Sequence, residues 1–397
     1  MLSWADLGPL SGCVAIIAML VYQWPGDIPF LKPPRMKKTQ QHILGFGGCL
    51  HHDFHPWEIF DAVAAAKVDK FIFMGDFIYA DWPDSSRGLE DLTKLSENEY
   101  KHRLNGLYEG ALNDQKLLPL LRSEKIYFMW NDHEIFDNYD QGPDTMHYKI
   151  AKDAFQSHLT SKHNPSPVDD GELYFTFSNK KYEYEVFVLD TRSFRSPMIK
   201  KDGPTSEKTM LGEKQLGRLL EWLSRMPKNS WKLLVSSCMW NDYAATAVVN
   251  GDANLDGWAR YKTERDQILQ YIRERGIRNV VLLSADANWS GIFKFKQSSG
   301  IEDDKARIDN TIYEFSVSPL AAPPLDPQLL KDDPEHVVHV TKGKTNVFGW
   351  MDFSENGGDS LTFKLFHYRP EESQDSNRAA RIMRLDLLAE KILKRKR

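Results

Sequence analysis

Five clusters of polar residues, each behind a short apolar run, carry the residue types from which a metal centre is built. They are Gly47-Gly48-Cys49-Leu50-His51-His52-Asp53, Gly75-Asp76-Phe77-Ile78-Tyr79-Ala80-Asp81, Asn131-Asp132-His133-Glu134, Asp190-Thr191-Arg192 and Ala285-Asp286-Ala287-Asn288. Asp137 and Asn138 follow the third cluster by one turn. Singly, each cluster has a bland reading. An Asp behind a strand often caps the next helix, the preferred reading of Asp81 and Asp137. A lone Cys after two glycines is more often a small buried residue than a ligand. Asp132-His133-Glu134 reads equally as a solvated turn, and Asp190 with Arg192 as a structural ion pair. Jointly the bland readings weaken, because carboxylates crowded at one place repel unless cations neutralise them. A hard or borderline metal pair suits such oxygen and nitrogen donors. Two metals about 3.5–4 Å apart activate a water and clamp a phosphoryl group. Arg192 is then the expected fork for two phosphate oxygens.

The elements that must position these clusters are strands alternating with helices. Apolar, β-rich runs occupy residues 70–75, 125–130, 184–190, 232–237 and 279–284. Helical stretches near 55–67, 145–160, 212–224 and 262–275 separate them, and further strands are expected near 311–317, 346–353 and 361–367. Short apolar strands with helices between them predict a buried, layered α/β sheet. In such a sheet ligands gather beyond the carboxyl ends of strands, where the five clusters stand. The Pro-rich, charged stretch 321–344 reads as a long surface loop.

The 397 residues form one large domain over about 40–370 with special ends, of formal net charge −5. An acidic chain is a poor nucleic-acid binder, so no nucleic-acid surface is expected. Three cysteines, Cys13, Cys49 and Cys238, build no disulfide framework. Residues 7–26 carry no charge and 13–22 are continuously apolar. This N-terminal segment (1–39 with its basic linker) reads as a membrane anchor or a signal peptide, placing the protein at a membrane or in the secretory pathway. A translation start at Met36 is a third reading. At the other end, Ile382, Leu385, Leu388 and Ile392 recur at helical spacing among basic residues. Residues 371–397 are therefore expected to form a basic amphipathic helix.

The ordered set GGC, GDFIYAD, WNDHEIFDN, LDTRSFR, LGEKQLGRLLEWL, DGWARY, LSADANWSG and YEFSVSPL, over roughly residues 43–353, resembles the PhoD-like (alkaline phosphatase D) family of metallophosphoesterases. The resemblance implies a calcineurin-like α/β fold, two β-sheets flanked by helices, and hydrolysis of phosphomonoesters or phosphodiesters. It implies two or more metal ions, usually described in that family as iron and calcium, with other divalent ions substituting. Carried over by position, Cys49, Asp76 and Tyr79 would hold the first metal, with Asp76 bridging to the second. Asp132 and Asp286 would serve the second metal, His133 would act as charge stabiliser or leaving-group acid, and Arg192 would hold the phosphate. Asn131 and Trp289 would adjoin the substrate, a small phosphate ester. The nucleophile would be a metal-bound water, so no covalent intermediate is needed.

Two departures from the family pattern matter. Asn288 stands where the family's Gly-Asp-x-His motif has a histidine, and a neutral carbonyl is the weaker donor. Asn131 stands where the family has the first Asp of Asp-Asp-His-Glu. His51, two residues after Cys49, is offered as a ligand that compensates for Asn288; the competing reading is a surface histidine in a loop with His52 and His55. Two functions stay open: a metal-dependent phosphoric-ester hydrolase, or a degenerate relative that binds a phosphorylated ligand or metal without turnover. Among Trp82, Trp240 and Trp258, any could line a cleft, although single tryptophans are more often packing.

Overall fold

In the computed structural model the described residues are 41–82, 92–197, 208–242, 248–249, 252–253, 256–295, 311–325, 336–341, 346–353, 359–371 and 382–395. The apolar N-terminal segment read as an anchor lies outside them. Among the described residues no helix is long and apolar enough to cross a membrane.

The strands are β1 (Ile43–Gly47), β2 (Lys70–Met74), β3 (Ile126–Met129), β4 (Phe175–Asn179), β5 (Tyr184–Val188), β6 (Trp231–Val235), β7 (Val248–Val249) and β8 (Asp252–Ala253). They continue with β9 (Val280–Ser284), β10 (Gly291–Phe295), β11 (Ile312–Ser316), β12 (Val337–Val340), β13 (Val347–Asp352), β14 (Ser360–Glu371) and β15 (Ile382–Lys394). A six-stranded sheet runs β15-β14-β13-β1-β2-β3 and a seven-stranded sheet β12-β10-β11-β9-β6-β5-β4, while β7 and β8 form a small hairpin. Strands β1, β2 and β3 are parallel, as are β5, β6, β9 and β11.

The period of two sorts the apolar residues into three layers of core. Leu44, Phe46, Ile72 and Met74 of the first sheet meet Val186, Val188, Leu233, Val235, Val281 and Leu283 of the second. The alternate residues Phe71, Phe73, Ile126 and Phe128 face outward and pack under the helices Ile59–Ala65, Glu97–Leu112 and Met146–Phe155. On the far side Phe187, Leu234 and Leu282 meet Leu219 and Leu223 of helix Gly212–Arg225 and Ile268 and Ile272 of helix Lys262–Glu274. Both faces of these strands are covered, which is why they read as unbroken apolar runs rather than alternating ones. The expected architecture, two sheets flanked by helices, is the one observed.

Three local readings need correction. The C-terminal run is a strand rather than an amphipathic helix: β15 pairs antiparallel with β14, from Ser360↔Lys394 to Glu371↔Ile382. Met383, Leu385, Leu387 and Ala389 also alternate at period two, so the segment satisfies both patterns. The unpaired backbone of β14 decides between them, as an open sheet edge does when a compatible run is near. The six-stranded sheet therefore continues past residue 370, and the compact unit spans Gln40–Arg397. The stretch read as a loop contains β12, which pairs with β10. Helix Glu97–Leu112 is an element the sequence reading leaves out, although Ser96 and Glu99 form a capping box at its start.

Candidate active site

The parallel strands of both sheets deliver their carboxyl-end loops to one region, and close backbone contacts lock those loops together. Cys49 N donates to Gly75 O at 3.0 Å, Leu50 N to Asp76 O at 2.8 Å, and Ala80 N to His133 O at 2.8 Å. Gly48 permits this approach: a Cβ there would stand 2.9 Å from both Ala285 Cβ and Met74 O. Gly75 has φ +91°, and a Cβ on it would meet Asn131 Cβ at 2.5 Å. Cys49, Asp76, Asp286 and Asn288 also take positive φ, of 65°, 56°, 78° and 55°. Backbone held in that sparsely populated region marks loops over-determined by their surroundings, as at functional sites.

Glu134 is the central organiser of two of these loops. Its carboxylate is fully buried and accepts from Asp76 N (3.2 Å), Phe77 N (2.6 Å) and Asn131 N (2.8 Å). The loops after β2 and β3 thus share one acceptor, which fixes Asp76 relative to Asp132.

Most of the expected ligands converge. Ligand atoms of Asp76, Asp132 and His133 lie within 4.8 Å of one another, as do those of Asp132, Asp256 and Asp286. Cys49 Sγ is 3.3 Å from Asp76 Oδ2. Asp76 Oδ1, Tyr79 Oη and Asn288 Oδ1 are buried without a hydrogen-bond partner, and Asp132 Oδ1 has only Arg192 Nη2 at an ion-pair distance of 3.3 Å. Buried polar atoms are almost always partnered, so orphaned oxygens on the loops that bring these carboxylates together call for a cation. The electrostatics agree. Burial, reinforced by Asp132, pushes the Asp76 carboxyl well above the carboxylate range. Burial and Asp256 push Asp286 up to about 8. Burial likewise raises the Cys49 thiol and the Tyr79 phenol, beside Asp76 and Cys49 respectively. These anions resist ionising in each other's company and would ionise readily on a metal. The donor set of thiol, phenol, carboxylates and amide carbonyl fits a metal centre.

His133 is set differently. Its Nδ1 lies 2.8 and 3.0 Å from the two carboxylate oxygens of Asp81, and its ring stacks on Tyr79 at 4.1 Å. Burial opposes its charge, but Asp81 and Asp132 overcome it and hold its pKa well above the ordinary value. Asp81 is therefore the orienting partner of a histidine, besides accepting from Asp137 N at 2.9 Å; helix capping, its bland reading, is not its main contact.

Three assignments change. The Arg192 guanidinium is fully buried, and each of its nitrogens already has a protein acceptor. Nε and Nη2 donate to Asn131 Oδ1 at 2.8 and 2.6 Å, Nη1 to Asp256 Oδ1 at 2.9 Å, and Nη2 also to Asp256 Oδ2. Instead of an open phosphate fork it is the cation that balances Asp132, Asp256 and Asp286. Burial opposes ionisation of Asp132, yet Arg192 and His133 hold it down at about 2. Asn131 bridges this group by donating from Nδ2 to Asp286 Oδ1 at 2.5 Å. Asp256, unassigned in the sequence reading although it opens the DGWARY motif, also binds buried Arg195 through Nη1 at 2.5 Å.

His51, second, falls in a separate cluster with His52 and Asp53 rather than with Asp76, Asp132 and Asp286. Its Nδ1 accepts from Asp53 N at 3.1 Å, and burial lowers its pKa to about 4. The neutral ring therefore carries its proton on Nε2, a buried atom that offers a donor where a metal needs a lone pair. Trp289, third, is 2% exposed and packs with Met239, Ala287 and Phe293, so packing takes the place of the expected substrate contact. Trp240 and Trp258 stack on each other at 4.3 Å in the core, which leaves Trp82 as the exposed member of that trio.

The PhoD-like phosphatase family matches residues 44–364, most of the chain. This chain belongs to that family. It is similar to alkaline phosphatase D of Bacillus subtilis (strain 168), 23% identical over 279 residues. That alignment covers 63% of this chain and 46% of the Bacillus protein, so the chain matches about half the length of that relative. Among solved structures it is similar to one titled "Structure of PhoD", with a TM-score of 0.66 and 17% identity over 89% of this chain and 70% of the other. That likeness establishes a shared two-sheet fold. Against the PhoD-like pattern Asn288 remains the main departure, and its orphaned Oδ1 faces the same deficit of partners as Asp76 and Tyr79.

Proposed function

We propose that this protein is a metal-dependent phosphoric-ester hydrolase acting on small phosphomonoesters or phosphodiesters. The observation that carries the reading is the pair of buried, unpartnered oxygens Asp76 Oδ1 and Tyr79 Oη beside Asp132 and the Cys49 thiol, with Asn288 Oδ1 likewise unpartnered on the loop of Asp286. Cys49, Tyr79 and Asp76 would hold one ion, and thiolate with phenolate suits ferric iron. Asp76, Asp132, Asp286 and Asn288 would hold a second through oxygen alone, which suits calcium. Such ions, when bound, acidify a coordinated water and polarise the phosphoryl oxygens.

The chain's own residues supply the rest. Asp81 fixes the His133 ring through Nδ1, so its Nε2 is the atom left to give a proton to the departing alcohol oxygen. Arg192 lowers the cost of holding three carboxylates together, and Asn131 keeps Arg192 and Asp286 in register. Glu134 fixes the spacing of the Asp76 and Asp132 loops. The charge-free N-terminal stretch, residues 7–26, supports a place for the enzyme at a membrane or in the secretory pathway.

The alternative, binding without turnover, rests on Asn288 in place of histidine. The buried, unpartnered Oδ1 of Asn288 argues that the position keeps a ligand's role. Elemental analysis of the purified protein, with turnover of p-nitrophenyl phosphate and bis-p-nitrophenyl phosphate, tests both readings, with Asp76→Asn as control. Bound metal and turnover lost in the variant is the expected result. Folded protein without stoichiometric metal, and inert after addition of iron, calcium, manganese or zinc, would overturn the hydrolase reading.

A further inference from the structure

Among the described residues, the large side chains left exposed include only two aromatics, Phe54 at 42% and Trp82 at 39%. They stand on different loops, after β1 and after β2, yet both touch the same ring. Phe54 meets His51 edge-on at 6.0 Å and 84°, and Trp82 meets it at 5.2 Å and 90°. The His51 ring in turn contacts Tyr79 at 4.8 Å, and Tyr79 stacks on His133 at 4.1 Å. A continuous series of rings therefore leads from the proposed metal ligand and proton donor out to the surface.

Neither aromatic is exposed through slack backbone. Arg103 donates to Ala80 O from Nε at 2.5 Å and to Trp82 O from Nη2 at 2.5 Å, and Trp82 N donates to Tyr79 O at 3.3 Å. Phe54 N is held by His51 O at 3.1 Å in a short 3-10 turn. His51 itself is 2% exposed, with Nε2 unpartnered, and its N–H is held by Ala321 O at 2.8 Å. Two partly exposed aromatic rings sharing one buried neighbour make a local apolar patch, and it lies on the loops that carry the proposed metal ligands.

We propose that Phe54 and Trp82, both packed on the buried His51 ring, form the subsite for the alcohol portion of the ester, and that the alcohol carries a planar aromatic group. This inference rests on the hydrolase reading of the neighbouring centre. Flat π-faces accept an aryl ring or a nucleobase by stacking, without base-specific hydrogen bonds. The subsite thus selects by shape and π-surface, and the two sources of such a ring are distinguished by the substrates below.

The test uses the full-length, metal-loaded protein and matched pairs of esters. Benzyl phosphate is compared with propyl phosphate, and adenosine 5′-phosphate with ribose 5-phosphate, so that within each pair the leaving alcohols have similar acidity. The expected result is an aromatic preference of roughly tenfold in kcat/KM, the scale of one stacked ring. In Trp82→Ala the preference should collapse toward one, while Trp82→Phe should retain most of it; Phe54→Ala should reduce it less. A preference in the benzyl pair alone assigns an aryl ester, and one in the adenosine pair as well assigns a nucleotide. Turnover with no aromatic preference, or a preference unchanged in Trp82→Ala, overturns the subsite and leaves the hydrolase reading standing. Benzylphosphonate and propylphosphonate, titrated by isothermal calorimetry, separate the two readings further. Aromatic-selective binding lost in Trp82→Ala, in a protein without turnover, supports the subsite while the hydrolase reading falls.

Discussion

Asp81 holds His133 at Nδ1 with both carboxylate oxygens, at 2.8 and 3.0 Å, so the ring's orientation and its charge come from one neighbour. Burial alone would strip the proton from this imidazole; Asp81 is the leading group that reverses the effect. The pair therefore couples geometry to acidity, the two requirements of a leaving-group acid.

Asp81→Asn separates them. The amide keeps the shape but loses the charge, so the pKa of His133 falls. Activity that needs His133 protonated is present below its pKa and lost above it, so the alkaline limb of the kcat profile should move to lower pH. The loss in kcat at the former optimum should be roughly 10²-fold. A pH–rate profile that scales down without moving would show that Asp81 only positions the ring.

Chelation addresses the centre as a whole. Asp76 and Asp286 are raised by burial and by neighbouring carboxylates, led by Asp132 for the first and Asp256 for the second, a cost that a bound cation removes. Metal binding should therefore raise thermal stability as well as restore turnover, by about 3 kcal/mol at a hundredfold excess over Kd. Differential scanning calorimetry of chelated and metal-reconstituted protein measures it. An unchanged Tm across that pair would count against a buried metal centre.

The Arg192–Asp256–Arg195 group predicts a stability effect distinct from catalysis. Asp256 is the shared partner of two fully buried guanidiniums. Asp256→Ala leaves both under-compensated in the interior and should cost about 3–5 kcal/mol, the scale for removing one partner of a buried pair. Asp256→Asn, which keeps one acceptor, should cost less. Denaturant unfolding of the two variants should rank them in that order.

How far the sequence carries the reading follows from where each interaction is decided. Cys49, Asp76, Tyr79, Asp132 and Asp286 are legible because each follows a strand whose apolar run is visible, and parallel strands put their carboxyl ends together. The role of Arg192 is not, because its partner Asp256 is 64 residues away and the pairing exists only once the loops have packed. For His51 the deciding contact is one backbone N–H, that of Asp53, which occupies Nδ1 and is invisible in the sequence. Residues 382–394 fit both a helical and an alternating pattern, and pairing with β14, from Glu371↔Ile382 to Ser360↔Lys394, chooses the strand. Helix Glu97–Leu112 was signalled by Ser96 and Glu99, local residues whose capping pattern is readable without any tertiary knowledge.

Asn288 supplies the last prediction. Its φ of 55° lies in the left-handed region, where Asn is well tolerated and His is also enriched among non-glycine residues. The backbone thus does not forbid histidine, and the difference from the family pattern is one of donor chemistry. Asn288→His replaces a weak carbonyl donor with an imidazole nitrogen, which favours borderline ions such as zinc, cobalt or manganese over calcium. Affinity for zinc should rise by roughly tenfold while calcium affinity falls. Competition titrations of the apo-protein with zinc and calcium, for both forms, give the two constants directly. If the ratio does not move, residue 288 lies outside the coordination sphere, and the orphaned Oδ1 must be met by substrate or water instead.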